Sequence, residues 1–378
     1  PDPFEELPEA DDFDGALDLG LLGLHPPYAD LGLFSPARVN GQDAQPVIVK
    51  VPVNLLCRHV LCVGATGSGK TTLFFTLQDA LRKLVHPAHK PRNFISIGFK
   101  RDGRHRISEV PNLLVLKISP QSNFKWNFTI PPDGVSQEEW DITWTRVVCE
   151  TQGLSLGIES LLLSNVRKLR SRNQIITIEQ LYRELAAQKP RAFREVNWFV
   201  SLTNRLDSLR VFNTMLNTTV ALPLHQLVER FCIEFELDDA GEFKTTFGTL
   251  ISIGLYKERL AKNLRGDELF VPIFCDEMLF LGSKVIQKSC FLGDPMLFQL
   301  IRLGREMGIA FISATNEPTA LSDSLKVNAA TKLLMNPGRF QDGLDIGISM
   351  NLSREQLEAI LELRPGQAVM QLEGMKAF

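Results

Sequence analysis

Residues 64–71 constrain the fold of this 378-residue chain more than any other stretch of its sequence. They read GATGSGKT and fit the pattern G-x-x-x-x-G-K-[ST], whose glycines let backbone N–H groups close around phosphate oxygens. Residues 59–63 before them are typical of a short buried strand, and residues 71–84 after them are typical of a helix. Such a helix points the positive end of its dipole at bound phosphates. The order of strand, loop and helix therefore predicts a nucleotide-binding α/β unit.

The side chains of this loop have separate roles. Lys70 can reach the β- and γ-phosphates of a nucleoside triphosphate, and the Thr71 hydroxyl can coordinate Mg²⁺. ATP and Mg²⁺ are therefore the expected cofactors. The predicted nucleotide-binding residues are Gly64, Ala65, Thr66, Gly67, Ser68, Gly69, Lys70, Thr71 and Thr72.

A second element of the same chemistry lies at residues 269–277, which read LFVPIFCDE. An apolar strand that ends in two carboxylates is the Walker B pattern. Asp276 would hold Mg²⁺, and Glu277 would orient or deprotonate the attacking water. Pro272 removes a hydrogen-bond donor from the strand, which predicts a bulge early in it.

Two further candidates flank the apolar strand at residues 309–314. Asn316, just after it, can hydrogen-bond the γ-phosphate or the water; the alternative is a turn-forming Asn before Glu317 and Pro318. Arg305, just before it, can reach a neighbour's γ-phosphate in a ring as an arginine finger. The alternative for Arg305 is a solvated or ion-paired side chain.

Composition excludes little. The 44% hydrophobic content is ample for a large core, and the net charge of −3 gives no global basic signature of nucleic-acid binding. The six cysteines form no C-x-x-C pair, which favours free thiols in a reducing, cytoplasmic setting. No apolar run approaches the roughly 18 residues of a membrane span. We therefore expect a cytoplasmic protein without a membrane segment.

The chain changes character along its length. Helix-capping patterns at Ser136 and Thr177 fall in a stretch that reads as helix only. The further predicted strands are 47–53, 94–99, 113–118, 231–237 and 368–372. The predicted parts are 1–45, an N-terminal arm or linker; 46–135, the first part of the α/β core; 136–217, an all-α insertion; and 218–378, the second part of the core.

Four motifs in this order carry a resemblance to a known family: GATGSGKTT, FCDE, GREMGIAFISATNEP and LRPGQAVMQ. Together they resemble the FtsK–HerA superfamily of ring-forming, DNA-pumping ATPases, over about residues 46–375. The resemblance implies a RecA-like P-loop NTPase core with an all-α helical insertion, a homo-hexamer, and Arg305 as the finger that acts across subunits. Asn316 stands where members more often carry Gln.

A basic loop follows the second core strand, with Lys100, Arg101, Arg104 and Arg106 around Gly103. Such a loop beside a catalytic face can track a phosphate backbone in a ring's pore; the alternative is an ordinary exposed polar loop. The cluster of Lys168, Arg170 and Arg172 is interpreted as a solvated helix end. Because no aromatic residues interleave with the bases, duplex DNA is preferred over single strands.

The sequence thus predicts an ATP-hydrolysing ring motor that translocates double-stranded DNA. One alternative is a coupling ATPase of conjugation or type IV secretion, which moves protein or single-stranded DNA. The other is an ATP-gated ring scaffold that organises a nuclease or other effector in a DNA-processing or defence complex. Stimulation of ATP hydrolysis by duplex DNA, by single-stranded DNA or by neither separates the three.

Overall fold

Strands and helices alternate along much of the chain. The structure, a computed structural model, describes residues 16–18, 50–52, 56, 58–83, 92–101, 103–190, 193–290 and 293–373. The strands within these residues are β1 Ala16–Asp18, β2 Lys50–Pro52, β3 Val60–Val63, β4 Ile95–Gly98, β5 Leu113–Lys117, β6 Cys232–Glu236, β7 Gly266–Cys275, β8 Met307–Thr315, β9 Thr331–Met335 and β10 Ala368–Gln371.

Eight of these strands form one sheet, in the order β10-β9-β3-β8-β7-β4-β6-β5. The pairs β3–β8, β3–β9, β7–β8 and β5–β6 are parallel, whereas β10 runs antiparallel to β9. All nine residues of β8 are buried, as expected for a parallel strand that is covered on both faces. The predicted α/β fold class is confirmed. The short strands β1 and β2 pair separately, and β1 lies within the predicted arm 1–45.

Helices connect the strands. They are α1 Lys70–Lys83, α2 Gln137–Thr151, α3 Leu156–Arg170, α4 Ile178–Ala186, α5 Phe193–Arg210, α6 Asn213–Leu216, α7 Leu224–Arg230, α8 Lys244–Ala261, α9 Leu279–Gly282, α10 Lys284–Ser289, α11 Met296–Leu303, α12 Asp323–Asn328, α13 Phe340–Ser349 and α14 Arg354–Ile360. Among the described residues, no helix is both long enough and apolar enough to cross a bilayer.

The chain divides into two compact units. The first comprises the described residues of Pro1–Ser96, Gly266–Ser283 and Ile301–Phe378. In its core, Phe74 of α1 packs edge-on against Phe274 of β7, with ring centroids 5.4 Å apart. The register of β7 against β8 shifts between Gly266 and Val271, so the predicted bulge lies just before Pro272.

The second unit comprises Ile97–Arg265 and Lys284–Leu300 and holds helices α2 to α8 with the strand pair β5–β6. Aromatic rings dominate its core. Phe247 of α8 lies 6.2 Å from Phe128 and 5.4 Å from Phe212 between ring centroids. Each such contact adds about 1 kcal/mol beyond the area that it buries.

Helices α2 and α3 of this unit are joined by a buried ion pair. Asp141 of α2 is 1% exposed and accepts hydrogen bonds from Arg170 Nε at 3.0 Å, Trp144 Nε1 at 2.9 Å and Gln137 Nε2 at 3.0 Å. The interpretation of Arg170 as part of a solvated helix end is therefore wrong, because this guanidinium links two helices. Its neighbours Lys168 and Arg172 both pair with Glu184 of α4.

In the segment predicted as an all-α insertion, 136–217, the described residues form helices α2 to α6 and no strand. The helical run continues through α7 to Arg230, and β6 begins at Cys232. Ser136 and Thr177 cap their helices as expected; at Thr177 the reciprocal bond from Gln180 is also present.

Candidate nucleotide-binding site

Three parallel neighbours, β3, β8 and β7, end at the same edge of the sheet. Val63, the last residue of β3, is in register with Thr315, the last residue of β8, and Cys275 of β7 is in register with Ser313. The chain therefore leaves all three strands side by side. This brings the loop 64–71, the Asp276–Glu277 pair and Asn316 to one carboxyl edge within the first unit.

Two glycines of the loop hold backbone conformations that other residues rarely adopt. Gly67 has φ of +83° and Gly69 has φ of +108°. A Cβ on Gly69 would also lie 3.3 Å from the backbone nitrogen of Gly366. Any side chain at position 69 would be strained and would press on the neighbouring chain. The loop is thus built from bare backbone, which is what close approach to phosphate oxygens requires.

Two segments outside the sequence motif hold this loop. The Ala65 N–H donates to the Asn336 carbonyl at 2.8 Å, and the Gly366 N–H donates to the Ser68 carbonyl at 2.8 Å. Asn336 Nδ2 in turn donates to the carbonyls of Leu361 and Leu363 at 2.8 and 3.0 Å. Sequence reasoning missed Asn336. Gly366 lies in the LRPGQAVMQ motif, from which its part in the site could have been predicted.

The Lys70 side chain lies within the loop itself. Its Nζ donates to the carbonyls of Gly64 at 2.6 Å and Ala65 at 2.8 Å. Helix α1 begins at Lys70, and Leu73 donates its first intrahelical bond to the Gly69 carbonyl at 2.9 Å. The N–H groups of Thr71 and Thr72 precede that bond, where helix N-termini bind anions.

These residues fit a nucleotide with Mg²⁺. Gly67 and Gly69 have positive φ, so the loop presents bare backbone where a Cβ would be strained. The Lys70 ammonium lies within the same loop, hydrogen-bonded to the Gly64 carbonyl. Thr71 is exposed at the loop and Asp276 is half-buried at the neighbouring strand end, so a hydroxyl and a carboxylate oxygen are available. Oxygen ligands of this kind suit Mg²⁺.

Thr315 connects the loop to the predicted base. Its carbonyl accepts a hydrogen bond from the Gly64 N–H at 3.3 Å, and its hydroxyl lies 3.5 Å from Glu277 Oε1. The same hydroxyl accepts the Glu317 N–H at 3.1 Å, which fixes its rotamer. Sequence reasoning named Asn316 and passed over Thr315, although a hydroxyl at a buried strand end was the signal for it.

Cys275, immediately before the carboxylates, is a structural thiol. It is fully buried, and burial raises its pKa well above the usual value. The thiol form packs in the core. Burial likewise raises the pKa of Cys62, in β3, to about 12.

Asn316 and Arg305 lie at opposite ends of β8. Asn316 follows the strand at the carboxyl edge, half-buried and beside Thr315. Arg305 lies in a 3₁₀ turn, Gly304–Glu306, just before the strand, and its side chain is exposed. A nine-residue strand spans about 30 Å at roughly 3.3 Å per residue. The guanidinium is therefore at the far edge of the sheet from the loop of its own chain.

The predicted basic loop belongs to the second unit and is largely ion-paired. Arg101 pairs with Asp238 and with Asp239, the latter at 3.1 Å. Arg104 pairs through two nitrogens with Glu236, whose carboxylate is fully buried. These hydrogen bonds raise the pKa of both guanidinium groups, so the arginines stay charged.

The other two bases of this loop differ in exposure. Lys100 is exposed. Arg106 is 3% exposed, with its Nε 3.6 Å from a Glu109 carboxylate oxygen. The assignment of Arg106 to a DNA contact is therefore corrected, because a buried guanidinium does not present itself to a phosphate backbone.

No protein-family model matches the chain, and a search of curated proteins finds no match either. Solved structures do match. The bacterial conjugative coupling protein TrwBΔN70 is 12% identical, with a TM-score of 0.62 over 87% of this chain and 85% of that one. Plasmid coupling protein TrwB in complex with ADP and Mg²⁺ is 14% identical, with a TM-score of 0.63 over 90% and 87%.

VirB4 of Thermoanaerobacter pseudethanolicus is also similar, at 14% identity and a TM-score of 0.63 over 87% of this chain and 92% of that one. At such identities the likeness is one of fold. It extends over most of each chain. The chain therefore has the RecA-like P-loop fold of TrwB and VirB4, the fold that its resemblance to the FtsK–HerA superfamily implies.

Proposed function

We propose that this protein is an ATP-hydrolysing ring motor that translocates double-stranded DNA. The observation that carries the proposal is the meeting of a glycine-built loop, an acidic strand end and a polar strand end at one sheet edge. Open α/β sheets bind ligands in this place. The coupling protein TrwB, which shares the fold, has been solved with ADP and Mg²⁺ and with a non-hydrolysable ATP analogue.

Each residue of the edge has a role in hydrolysis. Bound ATP with Mg²⁺ supplies the phosphoryl group and part of the charge that stabilises its transfer. When ATP binds, Lys70 Nζ would leave the carbonyls of Gly64 and Ala65 and donate hydrogen bonds to phosphate oxygens instead. Thr71 and Asp276 would hold Mg²⁺ through a hydroxyl and a carboxylate oxygen. Glu277 orients the attacking water and takes its proton, Thr315 orients Glu277, and Asn316 contacts the terminal phosphate or the water.

Arg305 acts on a neighbouring subunit. With about 30 Å of strand between it and its own loop, it reaches a γ-phosphate only if a second copy presents one. A head-to-tail contact of this kind closes into a ring, here a homo-hexamer. The working site then consists of two halves on different chains.

Lys100, Arg101 and Arg104 are the residues that we propose for DNA contact. Arg101 and Arg104 already have carboxylate partners, so a phosphate backbone must compete with Asp238, Asp239 and Glu236 for them. The resulting contact is weak, salt-dependent and independent of base sequence, as a translocating motor requires.

The similarity to TrwB and VirB4 equally supports the alternative, a coupling ATPase of conjugation or type IV secretion that moves single-stranded DNA or protein. A ring scaffold that organises a nuclease or other effector differs from both, because DNA would leave its turnover unchanged.

One set of measurements tests these proposals. The rate of ATP hydrolysis is measured alone, with duplex DNA and with single-stranded DNA, at low and moderate salt, alongside the particle mass. Duplex stimulation in a particle of about six chains supports the motor. Stimulation by single strands alone supports the coupling ATPase. A monomer that hydrolyses ATP at the same rate with or without DNA contradicts both.

A further inference from the structure

A second pocket lies in the first unit, at the amino edge of the sheet and so at the opposite end of the strands from the phosphate loop. Its volume is about 390 Å³, within the range of small-ligand sites. Four cationic side chains line it: Arg58, Arg302, Arg305 and Lys332. Among the described residues that line it, Glu373 is the one carboxylate. The lining therefore has an excess of three positive charges, close together in one concave site.

Lys332 is the buried member of this set. Its residue is 8% exposed, and burial lowers its pKa. Among the described residues, Glu373 raises this pKa through its charge, and no hydrogen bond contributes to it. Lys332 therefore lines the pocket as a cation whose charge an anionic ligand would stabilise by a charged hydrogen bond.

Glu373 already neutralises part of the positive charge in the pocket. Its carboxylate pairs with Arg58, whose side chain is 34% exposed. His59, also in the lining, adds no charge, because burial lowers its pKa to about 4. An incoming anion can therefore bind Lys332 and Arg305 directly. For Arg58 it must compete with the Glu373 carboxylate.

We propose that this amino-edge pocket is a binding site for a polyphosphate group, with Lys332, Arg58 and Arg305 as its cationic ligands and Glu373 as an internal competitor. The proposal rests on the proposed function only through Arg305, which we also place at a neighbour's γ-phosphate; Lys332 and Arg58 need neither hydrolysis nor an assembled ring to bind the anion. The phosphates come either from a free anion or from a nucleotide held by a second copy of the chain.

The first experiment measures binding of inorganic pyrophosphate by calorimetry at low salt. The parent protein carries Lys70→Ala, so that the phosphate loop contributes little. We expect binding at one site per chain. In that background, Lys332→Met should weaken it at least about tenfold, because a charged hydrogen bond is lost. Glu373→Gln should strengthen it several-fold, because it releases Arg58.

Arg354→Gln is the matched control. It removes one positive charge from a side chain that is 86% exposed and pairs with Glu358, outside the pocket lining. Its affinity for pyrophosphate should equal that of the parent. Since Lys332→Met and Glu373→Gln act in opposite directions, misfolding does not imitate the pattern. Absence of pyrophosphate binding, or equal affinity in all variants, overturns the proposal.

A second experiment identifies the source of the phosphates. The Glu277→Gln protein loaded with ATP is mixed with the Lys70→Ala protein, and association is followed by sedimentation. Association that needs Lys332 and is displaced by pyrophosphate supports a nucleotide on a second copy. Pyrophosphate binding without such association supports a free anion. A third outcome is that the chains bind no pyrophosphate and still associate when Lys332→Met is introduced. This result contradicts the pocket proposal but not the proposed ring.

Discussion

Thr315 shows how single residues set the chemistry of the carboxyl edge. It touches the phosphate loop through its carbonyl and Glu277 through its hydroxyl. Glu277 is a half-buried carboxylate beside Thr315, which also contacts the loop. This position supports the role as a base that we propose for it.

Glu277→Gln should bind ATP as wild type does and hydrolyse it about a hundredfold more slowly, because the amide keeps the shape but accepts no proton. Glu317→Gln is the control. It changes an exposed carboxylate at the same edge and should leave turnover unaffected. Nucleotide affinity and single-turnover hydrolysis are measured for both. A Glu277→Gln enzyme as fast as the control would remove Glu277 from the mechanism.

His59 gives the first unit a defined sensitivity to acid. It is buried, accepts the Phe311 N–H on Nδ1 at 2.9 Å, and has Nε2 2.6 Å from the Ile301 carbonyl, so the neutral ring with its proton on Nε2 fits. Burial lowers its pKa to about 4. Below pH of about 6.5 the unfolded chain takes up a proton that the folded chain does not.

From pH 6.5 down to 4, His59 should therefore remove about 3 kcal/mol of the free energy of unfolding. The measurement is urea unfolding of wild type and His59→Gln at several pH values. Wild type is more stable at pH 7, and its advantage should shrink as the pH approaches 4. An advantage that is constant over this range would show that His59 does not titrate differently on folding.

At the scale of elements, segments with a clear apolar run were predictable, even short ones. Helix α1 and strands β3, β7 and β8 were all predicted, with ends within a few residues. Strand β9 and helix α13 were missed. Strand β9, TKLLM, begins with two polar residues and has an apolar run of only three, and α13 contains Gly343 and Gly347, which lower helix propensity.

The same limit applied to the site. Lys70, Asp276 and Glu277 lie in short contiguous motifs, so they could be predicted from the sequence. Asn336 follows the missed strand β9, and its contact with Ala65 joins residues 271 positions apart. Such a contact depends on tertiary packing, which no local pattern encodes.

The link between helices α2 and α3 makes a prediction at this scale. Arg170→Met leaves the buried Asp141 without its cation and should lower the free energy of unfolding by about 3 kcal/mol. Arg167→Met is the matched control on the same helix. Its partner Glu138 is 59% exposed, so the expected loss is below about 1 kcal/mol. Urea unfolding measures both; equal losses would mean that the Asp141 pair is no stronger than a surface pair.

For the whole molecule, the distance between Arg305 and the phosphate loop leads to a mixing experiment. Arg305→Ala and Lys70→Ala proteins should each be inactive alone. In mixed rings, about a quarter of the interfaces join an intact loop to an intact Arg305, so an equimolar mixture should recover up to that share of wild-type hydrolysis. A mixture as inactive as its components would place Arg305 outside the neighbour's site.

Strand β8 joins the two halves of that arrangement. It ends beside Glu277 at one edge and begins just after Arg305 at the other, so in the ring that we propose its two ends would serve different active sites. In a closed ring, each chain then receives a finger from one neighbour and supplies a finger to the other. The two neighbours are not equivalent, and the ring has a clockwise and an anticlockwise sense. If hydrolysis events in successive subunits are coupled through β8, they would follow one another around the ring in a single direction. The asymmetry of each subunit interface would set that direction.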